Sequence, residues 1–353
     1  MLKNRFKHMV AAQLLGATLA FSPLPLVAQS EVSQYSFQQL QQASKAGNLE
    51  AMSYLADAYL DGDKVPQNYE LAVEWYLRAA NQGDIYSQTS MGYMYENGYG
   101  VPQSYTDAIY WYQLGANNGS SVSKNNLGYL YEFGRGTDKN MSEALRLYRE
   151  AADAGYDLAQ YNLGYLLAYG EGVPTDYAAA AQLFRQAAEQ GRASAQSELG
   201  YFYERGYSVP QDDTQAVYWY KLAEAQGNRQ AQNNLGFMYE EGRGVPVDKV
   251  EAVRLYRAAA EQGHGLAQSN LGLMLLDGVG VLQSNDEAFH WFELSAENGN
   301  SNGQTNLGFM YENGYGTMQD FVTAKYYYEL AAAQGSETAL NNLKAMFAAG
   351  RGG

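Results

Sequence analysis

A leucine or methionine recurs every 36 residues along this 353-residue chain: Leu55, Met91, Leu127, Leu163, Leu199, Leu235, Leu271, Leu307 and Leu343, without one insertion or deletion. Offsets are counted from this residue as position zero of each unit. Glycine then occupies plus 1 in seven consecutive units, Gly92 to Gly308, and plus 7 in all nine, Gly62 to Gly350. The rarer residues keep the same spacing: Trp75, Trp111, Trp219 and Trp291, the only tryptophans, stand at plus 20, and Pro66, Pro102, Pro174, Pro210 and Pro246 at plus 11. A fixed period of this length marks a stacked array, because a single unit cannot bury its own apolar face and must close it against its neighbours.

Each unit reads as two helices. Offset plus 13 always holds a residue that caps helix starts (Asn68, Ser104, Asn140, Asp176, Asp212, Asp248, Ser284, Asp320), and Glu143, Glu251 and Glu287 follow their caps by three, the spacing of a capping box. The helix that begins there carries alanine at plus 17, Trp or Leu at plus 20 and Tyr or Phe at plus 21, and stops at the glycine at plus 28, Gly83 through Gly335. The first helix of the next unit opens just after that glycine and ends at plus 7. In the repeated stretch MYENGYG, Gly98 and Gly314 therefore end a helix, and Gly100 and Gly316 loosen the turn that follows. Glycine at plus 1 lies inside the first helix, where it costs roughly 1 kcal/mol against alanine. A close approach of the two backbones at the small alanine of plus 17 would account for it.

The expected fold is all-α: an α-solenoid, or superhelix, of about eight 36-residue helix-turn-helix repeats. Tyr35 to Gly47 reads as a lone second helix that caps the start, and Glu337 to Gly350 as a lone first helix at the end. The division expected is a signal peptide at 1–28, a linker and capping helix at 29–47, the repeats at 48–335, and a capping helix and tail at 336–353. No linker or shift of composition interrupts the repeats, which read as one elongated domain.

The signal peptide rests on Lys3, Arg5 and Lys7 ahead of a mostly apolar run, Met9 to Phe21, with cleavage expected after Ala28. It places the mature chain in the periplasm or outside the cell, and no later stretch is apolar enough to insert into a membrane. The whole chain has a net charge of -15, and loss of the first 28 residues leaves 20 basic against 38 acidic side chains. That balance argues against nucleic acid and anionic membrane as partners. With no cysteine, disulfide and thiol chemistry are excluded.

No nucleophile elbow, phosphate loop or zinc helix motif occurs. His264 and His290, the only histidines past His8, make no metal set without cysteine. Glu96, Glu132, Glu204, Glu240 and Glu312 share plus 5, at the end of a helix whose dipole they oppose. Either donors such as Arg135 and Arg243 offset that, the structural role favoured, or the glutamate serves a partner. No enzyme activity, cofactor or metal is expected.

Ala231 to Gly263, AQNNLGFMYEEGRGVPVDKVEAVRLYRAAAEQG, resembles the Sel1-like repeat, a relative of the tetratricopeptide repeat. The resemblance covers nearly all of the chain past the signal. It implies an adaptor that holds other proteins; bacterial envelope members serve exopolysaccharide export, sensor regulation, motility, host interaction or immunity to secreted toxins. The paired cysteines of the family's disulfide-rich branch are missing here, so no activity of that branch carries over.

On a helical wheel, offsets zero, plus 3, plus 4 and minus 4 share one buried side, while minus 1, plus 2 and plus 6 point away from it. Minus 1 holds Asn126, Asn162, Asn234, Asn270 and Asn306, and plus 2 holds Tyr93, Tyr129, Tyr165, Tyr201, Phe237 and Phe309. The resemblance implies that this side lines a concave groove. An asparagine ladder beside aromatic rings suits an extended peptide or loop, since the amide both donates and accepts and the rings give wide contact. Packing between adjacent first helices is the competing role for the same rows. Asp61, Glu241 and Asp277 at plus 6 favour a neutral or basic ligand. A protein-binding adaptor is thus the expected function; a module for peptidoglycan or exopolysaccharide, or an immunity protein against a secreted toxin, are the alternatives.

Overall fold

Helix pairs follow one another along the chain, with 18 α-helices, one short 3-10 turn (Glu31–Gln34) and no strand among the described residues. The structure, a computed structural model, describes residues 31–62, 64–170 and 172–351, so the expected signal peptide lies outside it. Contacts group the chain into two units that meet in sequence at Ala187 and Ala188. The 36-residue spacing runs through that point unbroken, which is why the sequence shows no boundary there.

The first unit starts with the capping helix α1 (Phe37–Lys45). The pairs α2 (Leu49–Asp61) with α3 (Tyr69–Ala80), α4 (Ile85–Asn97) with α5 (Tyr105–Asn117), α6 (Ser121–Phe133) with α7 (Met141–Asp153), and α8 (Asp157–Tyr169) with α9 (Tyr177–Glu189) follow. The second unit holds α10 (Ala193–Arg205) with α11 (Asp213–Glu224), α12 (Arg229–Glu241) with α13 (Lys249–Glu261), α14 (Gly265–Asp277) with α15 (Asn285–Glu297), and α16 (Ser301–Asn313) with α17 (Phe321–Ala333). It closes with α18 (Glu337–Ala348). No helix among the described residues is long and apolar enough to cross a membrane.

The expected caps form. Each plus 13 side chain accepts a backbone N–H from the first turn of the second helix, as Asn68 does from Leu71 and Asp176 from Ala179, both at 2.9 Å. Such a cap contributes about 1 kcal/mol. The expected capping boxes at Glu143, Glu251 and Glu287 do not close, because the N–H they would accept is already spent. The amides of Asn140, Asp248 and Ser284 donate to the carbonyls of Tyr131, Tyr239 and Leu275 at 2.9–3.0 Å, as every plus 13 amide does to the plus 4 carbonyl of its own unit. That bond pins the turn between the two helices. Glu143 and Glu251 turn instead to Arg146 and Arg254. The one capping box recorded is Ser36 with Gln39 at the start of α1.

Glycine at plus 1 does face the alanine of plus 17 closely, an added Cβ lying 3.2 Å from its carbonyl at Gly200 and Gly308, but it has a nearer neighbour than the expected one. A Cβ at Gly236 would lie 2.9 Å from the Tyr256 ring, with the Ala252 carbonyl farther off at 3.4 Å, and one at Gly128 would lie 3.1 Å from Tyr148. The aromatic side chain at plus 21 therefore lies across the first helix at plus 1, and the alanine at plus 17 is secondary. Burial of that ring is close to complete: Tyr76, Tyr112, Phe184, Tyr220, Tyr256, Phe292 and Tyr328 are each 0% exposed.

Glycine at plus 9 clamps the chain at five joints instead of loosening it, Gly172 being open around its Cα. Gly100, Gly136, Gly244, Gly280 and Gly316 all have positive φ, 65° to 71°. A Cβ there would press on the first turn of the preceding unit's second helix: at Gly316 it would meet the Asn285 carbonyl at 2.5 Å, and at Gly136 the Tyr105 Cβ at 2.5 Å. Ser208 takes the same position at φ 55°, the only residue other than glycine with positive φ among those described.

Candidate partner-binding face

The glutamates at plus 5 find their donor inside their own unit. Each accepts the hydroxyl of the buried tyrosine 16 residues on: Tyr112 to Glu96 at 2.8 Å, Tyr148 to Glu132, Tyr220 to Glu204 and Tyr328 to Glu312 at 2.9 Å, and Tyr256 to Glu240 at 2.7 Å. Where plus 21 is Phe184 or Phe292 and offers no hydroxyl, plus 5 is Ala168 or Leu276. In the first repeat plus 5 is Leu60, and the Tyr76 hydroxyl is taken by Asp57 at plus 2. The two positions vary together because a buried hydroxyl or carboxylate left alone costs about 1–3 kcal/mol. The expected structural role holds, with tyrosine as the main donor. Burial raises the pKa of Glu96 and Glu132, against the lowering pull of Tyr112 and Tyr148. Asp57, which also accepts from Tyr86 at 3.0 Å, is pushed up to about 6, again by burial first.

These pairings sort the repeats into a cycle of three, 108 residues long. A repeats (zero at 91, 199 and 307) carry glutamate at plus 5 and Tyr99, Tyr207 or Tyr315 at plus 8. B repeats (127, 235 and the terminal 343) carry Arg135, Arg243 or Arg351 at plus 8. C repeats (163 and 271) have Ala168 or Leu276 at plus 5, and Glu171 or Val279 at plus 8. The B arginine reaches back to the preceding A repeat. Arg243 donates to Glu204 at 3.2 Å and to Asp213 at 2.6 and 3.1 Å, with its guanidinium 5.9 Å from the Phe237 ring. Arg351 lies 3.9 Å from Glu312 and 5.4 Å over Phe321, while Arg135 stacks 5.0 Å over Tyr129 and 5.9 Å over Tyr105.

The asparagine row divides by what it bonds. Asn162, Asn270 and Asn306 donate across to the preceding repeat, to Asn125 Oδ1 at 2.9 Å, Asn233 Oδ1 at 3.1 Å and Ser269 Oγ at 3.1 Å. Asn126 is buried and accepts from Asn125, and Asn234 donates to the Tyr220 hydroxyl at 3.2 Å while accepting from Gln230 and Asn233. The aromatic row keeps more solvent. Tyr93, Tyr129, Tyr165 and Tyr201 are half-buried, and Phe237 and Phe309 are exposed at 39% and 38%. Their neighbours are often at plus 8: Tyr93 meets Tyr99, Tyr201 meets Tyr207 and Phe309 meets Tyr315, all edge-on with centroids 5.8 Å apart. Burial pushes the Tyr201 hydroxyl up to about 12. Tyr93, Asn126, Tyr129, Asn162 and Tyr165 lie in the first unit, and Tyr201, Asn234, Phe237, Asn270, Asn306 and Phe309 in the second.

The sequence reading passed over Leu273, which continues the plus 2 row at 39% exposure, and the plus 8 residues. The signal for the latter was in the chain, in the joint variation of plus 5, plus 8 and plus 21. Lys124 on α6 is paired with Glu150 at 2.9 Å. His264 has a structural role: its Nδ1 caps α14 by accepting from Ala267 N–H at 3.1 Å, so Nε2 carries the proton and donates to Gln230 Oε1 at 3.0 Å. Burial, with the nearby Arg229 charge, lowers its pKa to about 4. Among the described residues no three His, Cys, Asp or Glu side chains are placed to hold a metal ion.

The sequence model of the Sel1 repeat matches eight segments, from 49–84 through 301–336. The chain belongs to the Sel1 repeat family. Two solved Sel1-type structures share the solenoid. A protective antigen present in uropathogenic Escherichia coli strains, displaying an SLR fold, is 34% identical over 89% of this chain and 67% of its own, with a TM-score of 0.72. A Sel1 repeat protein from Oxalobacter formigenes is 30% identical over 88% of this chain and 89% of its own, with a TM-score of 0.61. No curated protein matches the sequence significantly. Sel1 repeat proteins are protein-interaction scaffolds, a typically non-enzymatic fold.

Proposed function

We propose that this Sel1 repeat protein is an exported, non-catalytic scaffold that holds a protein partner against the side of the first helices marked by the plus 2 row. The observation that carries this reading is the row itself. Its side chains keep a third or more of their surface in Phe237, Leu273 and Phe309 on helices whose plus 1, zero and plus 3 positions are buried. Aromatic rows left open in this way mark interaction surfaces. The asparagines beside them spend an N–H on the neighbouring repeat, which fixes the spacing of the row and leaves Asn162, Asn270 and Asn306 with their carbonyl oxygens to offer. Export rests on the basic and apolar start, Met1 to Ala28. A relative that is a protective antigen fits an exported chain.

A photoreactive residue placed at Tyr165 tests the reading in cells. A discrete crosslinked partner is expected from Tyr165 and from Phe309, and none from Tyr110, which is 57% exposed on a second helix. A partner captured from Tyr110 alone would sink the proposal.

A further inference from the structure

At the joint between an A and a B repeat the chain supplies its own arginine three times, and the pocket around it is complete twice. The walls are the plus 2 ring of the B repeat and the plus 5 glutamate and plus 14 residue of the A repeat: Phe237, Glu204 and Asp213 around Arg243, and Tyr129, Glu96 and Tyr105 around Arg135. Arg351 meets Glu312 and Phe321, although Ala345 at plus 2 gives that joint no ring from the B repeat. At the joint between a B and a C repeat the equivalent glutamates are Glu132 and Glu240, followed by the plus 2 residues Tyr165 and Leu273. Plus 8, the position of the arginine in a B repeat, is Glu171 or Val279 in the C repeats.

The carboxylates register that difference. Glu204, under Arg243, has 5% of its side chain exposed, whereas Glu240 has 25%. Glu132 is half-buried where Glu96 is 6% exposed. Glu132 Oε2 accepts the Tyr148 hydroxyl, and the charge of Lys139 lies near enough to favour the carboxylate, without a hydrogen bond to its other oxygen among the described residues. Glu240 has only the ammonium of Lys249 near its other oxygen, at 3.8 Å.

We infer that the two B–C joints, one in each unit, are binding sites for arginine side chains of the partner. The inference rests on the plus 2 face being where the partner lies, and it names the chemistry read there. A guanidinium stacked on a ring and bonded to a buried carboxylate is held more tightly than an ammonium, because its planar fork matches both surfaces. Tyr165 at the first joint supplies a ring, and Leu273 at the second an apolar floor. The net charge of -15 draws such a segment in without selecting arginine over lysine, so selection falls to the joints.

The test uses the full chain and a labelled peptide, (Gly-Ser-Arg)4, with lysine and citrulline counterparts, read by fluorescence anisotropy and titration calorimetry at low salt. The arginine peptide is expected to bind about tenfold or more tightly than either counterpart, and Glu132→Gln with Glu240→Gln to remove that advantage. Glutamine still accepts the Tyr148 and Tyr256 hydroxyls, so the fold is kept. Glu50→Gln with Glu337→Gln, the same charge change at exposed positions, should leave the advantage intact. Val279→Arg, which gives the second joint an arginine of its own, should cut the number of peptide sites from two to one. Equal binding of the three peptides, equal losses in both double variants, or two sites remaining in Val279→Arg would each overturn the inference. Should Tyr165 still crosslink a partner in the face of any of these, the scaffold reading stands and arginine recognition falls; absence of any crosslink at Tyr165 removes the reading itself.

Discussion

At the scale of single residues, the tyrosine at plus 21 and the glutamate at plus 5 are one unit of design written 16 positions apart. Glu96 is 6% exposed and its oxygen depends on Tyr112. Tyr112→Phe should therefore cost about 1–3 kcal/mol, the range for a hydrogen bond to a buried charge. Glu96→Leu in the same chain should recover most of that, since Leu276 beside Phe292 is the arrangement the protein already uses. A double-mutant cycle in urea reads the coupling directly. His264 gives a second residue-scale expectation. Its pKa falls to about 4 in the fold against about 6.5 in an unfolded chain. Above pH 6.5 neither state binds the proton; as pH falls from there toward 4 the unfolded chain binds it and the fold does not, so stability is lost. Protection of the amides at the start of α14, taken relative to the intrinsic exchange rate at each pH, should fall over that window, and His264→Asn, which keeps a capping acceptor without titrating, should flatten the change.

At the scale of the repeat, the sequence carried the helices but not their reasons. Caps at plus 13 and glycines at plus 7 and plus 28 are local signals, and each lies where the spacing predicts. The donor for Glu96 is not local to its helix, so a helical wheel of α4 alone treats it as an end charge. The plus 1 glycine misled for the same reason: Ala252 is small and Tyr256 large, yet it is the large ring that lies on Gly236. Ser208 is the clearest strain in a joint. An L-residue held at positive φ costs about 1–2 kcal/mol, offset in part by the extra freedom glycine gives the unfolded chain. Ser208→Gly should be neutral or stabilising by up to about 1 kcal/mol, seen as an unchanged or higher melting temperature. A clear fall would mean the hydroxyl has a role that the backbone does not reveal.

At the scale of the whole molecule, the 36-residue spacing made the solenoid legible, while the cycle of three and the division near Ala187 lie beyond what equal spacing can express. The candidate face was legible as rows, but whether an asparagine donates to a neighbour or to a ligand depends on a contact 37 residues away, as Asn162 shows with Asn125. In a stacked array stability is a sum over neighbours, so the joints should differ. Removing 229–264, a B repeat, leaves Glu204 and Asp213 without Arg243, whereas removing 265–300, a C repeat, takes away no plus 8 arginine and breaks the more exposed Arg257–Glu287 contact at 3.4 Å. Urea melts should show the first deletion unfolding earlier than the second, although both keep the spacing. Equal midpoints would mean that the arginine joints add nothing to cohesion.

The central claim is that the plus 2 row of the first helices, and not the exposed tyrosines of the second helices, holds the partner. Once crosslinking has supplied that partner, its affinity for Phe237→Ser with Phe309→Ser decides the matter, set against Tyr218→Ser with Tyr326→Ser, whose rings are 53% and 55% exposed. A loss of about tenfold or more is predicted for the first pair, with the helical fold retained at the assay temperature, and none for the second. Full affinity in the first pair, or a loss confined to the second, would contradict the account.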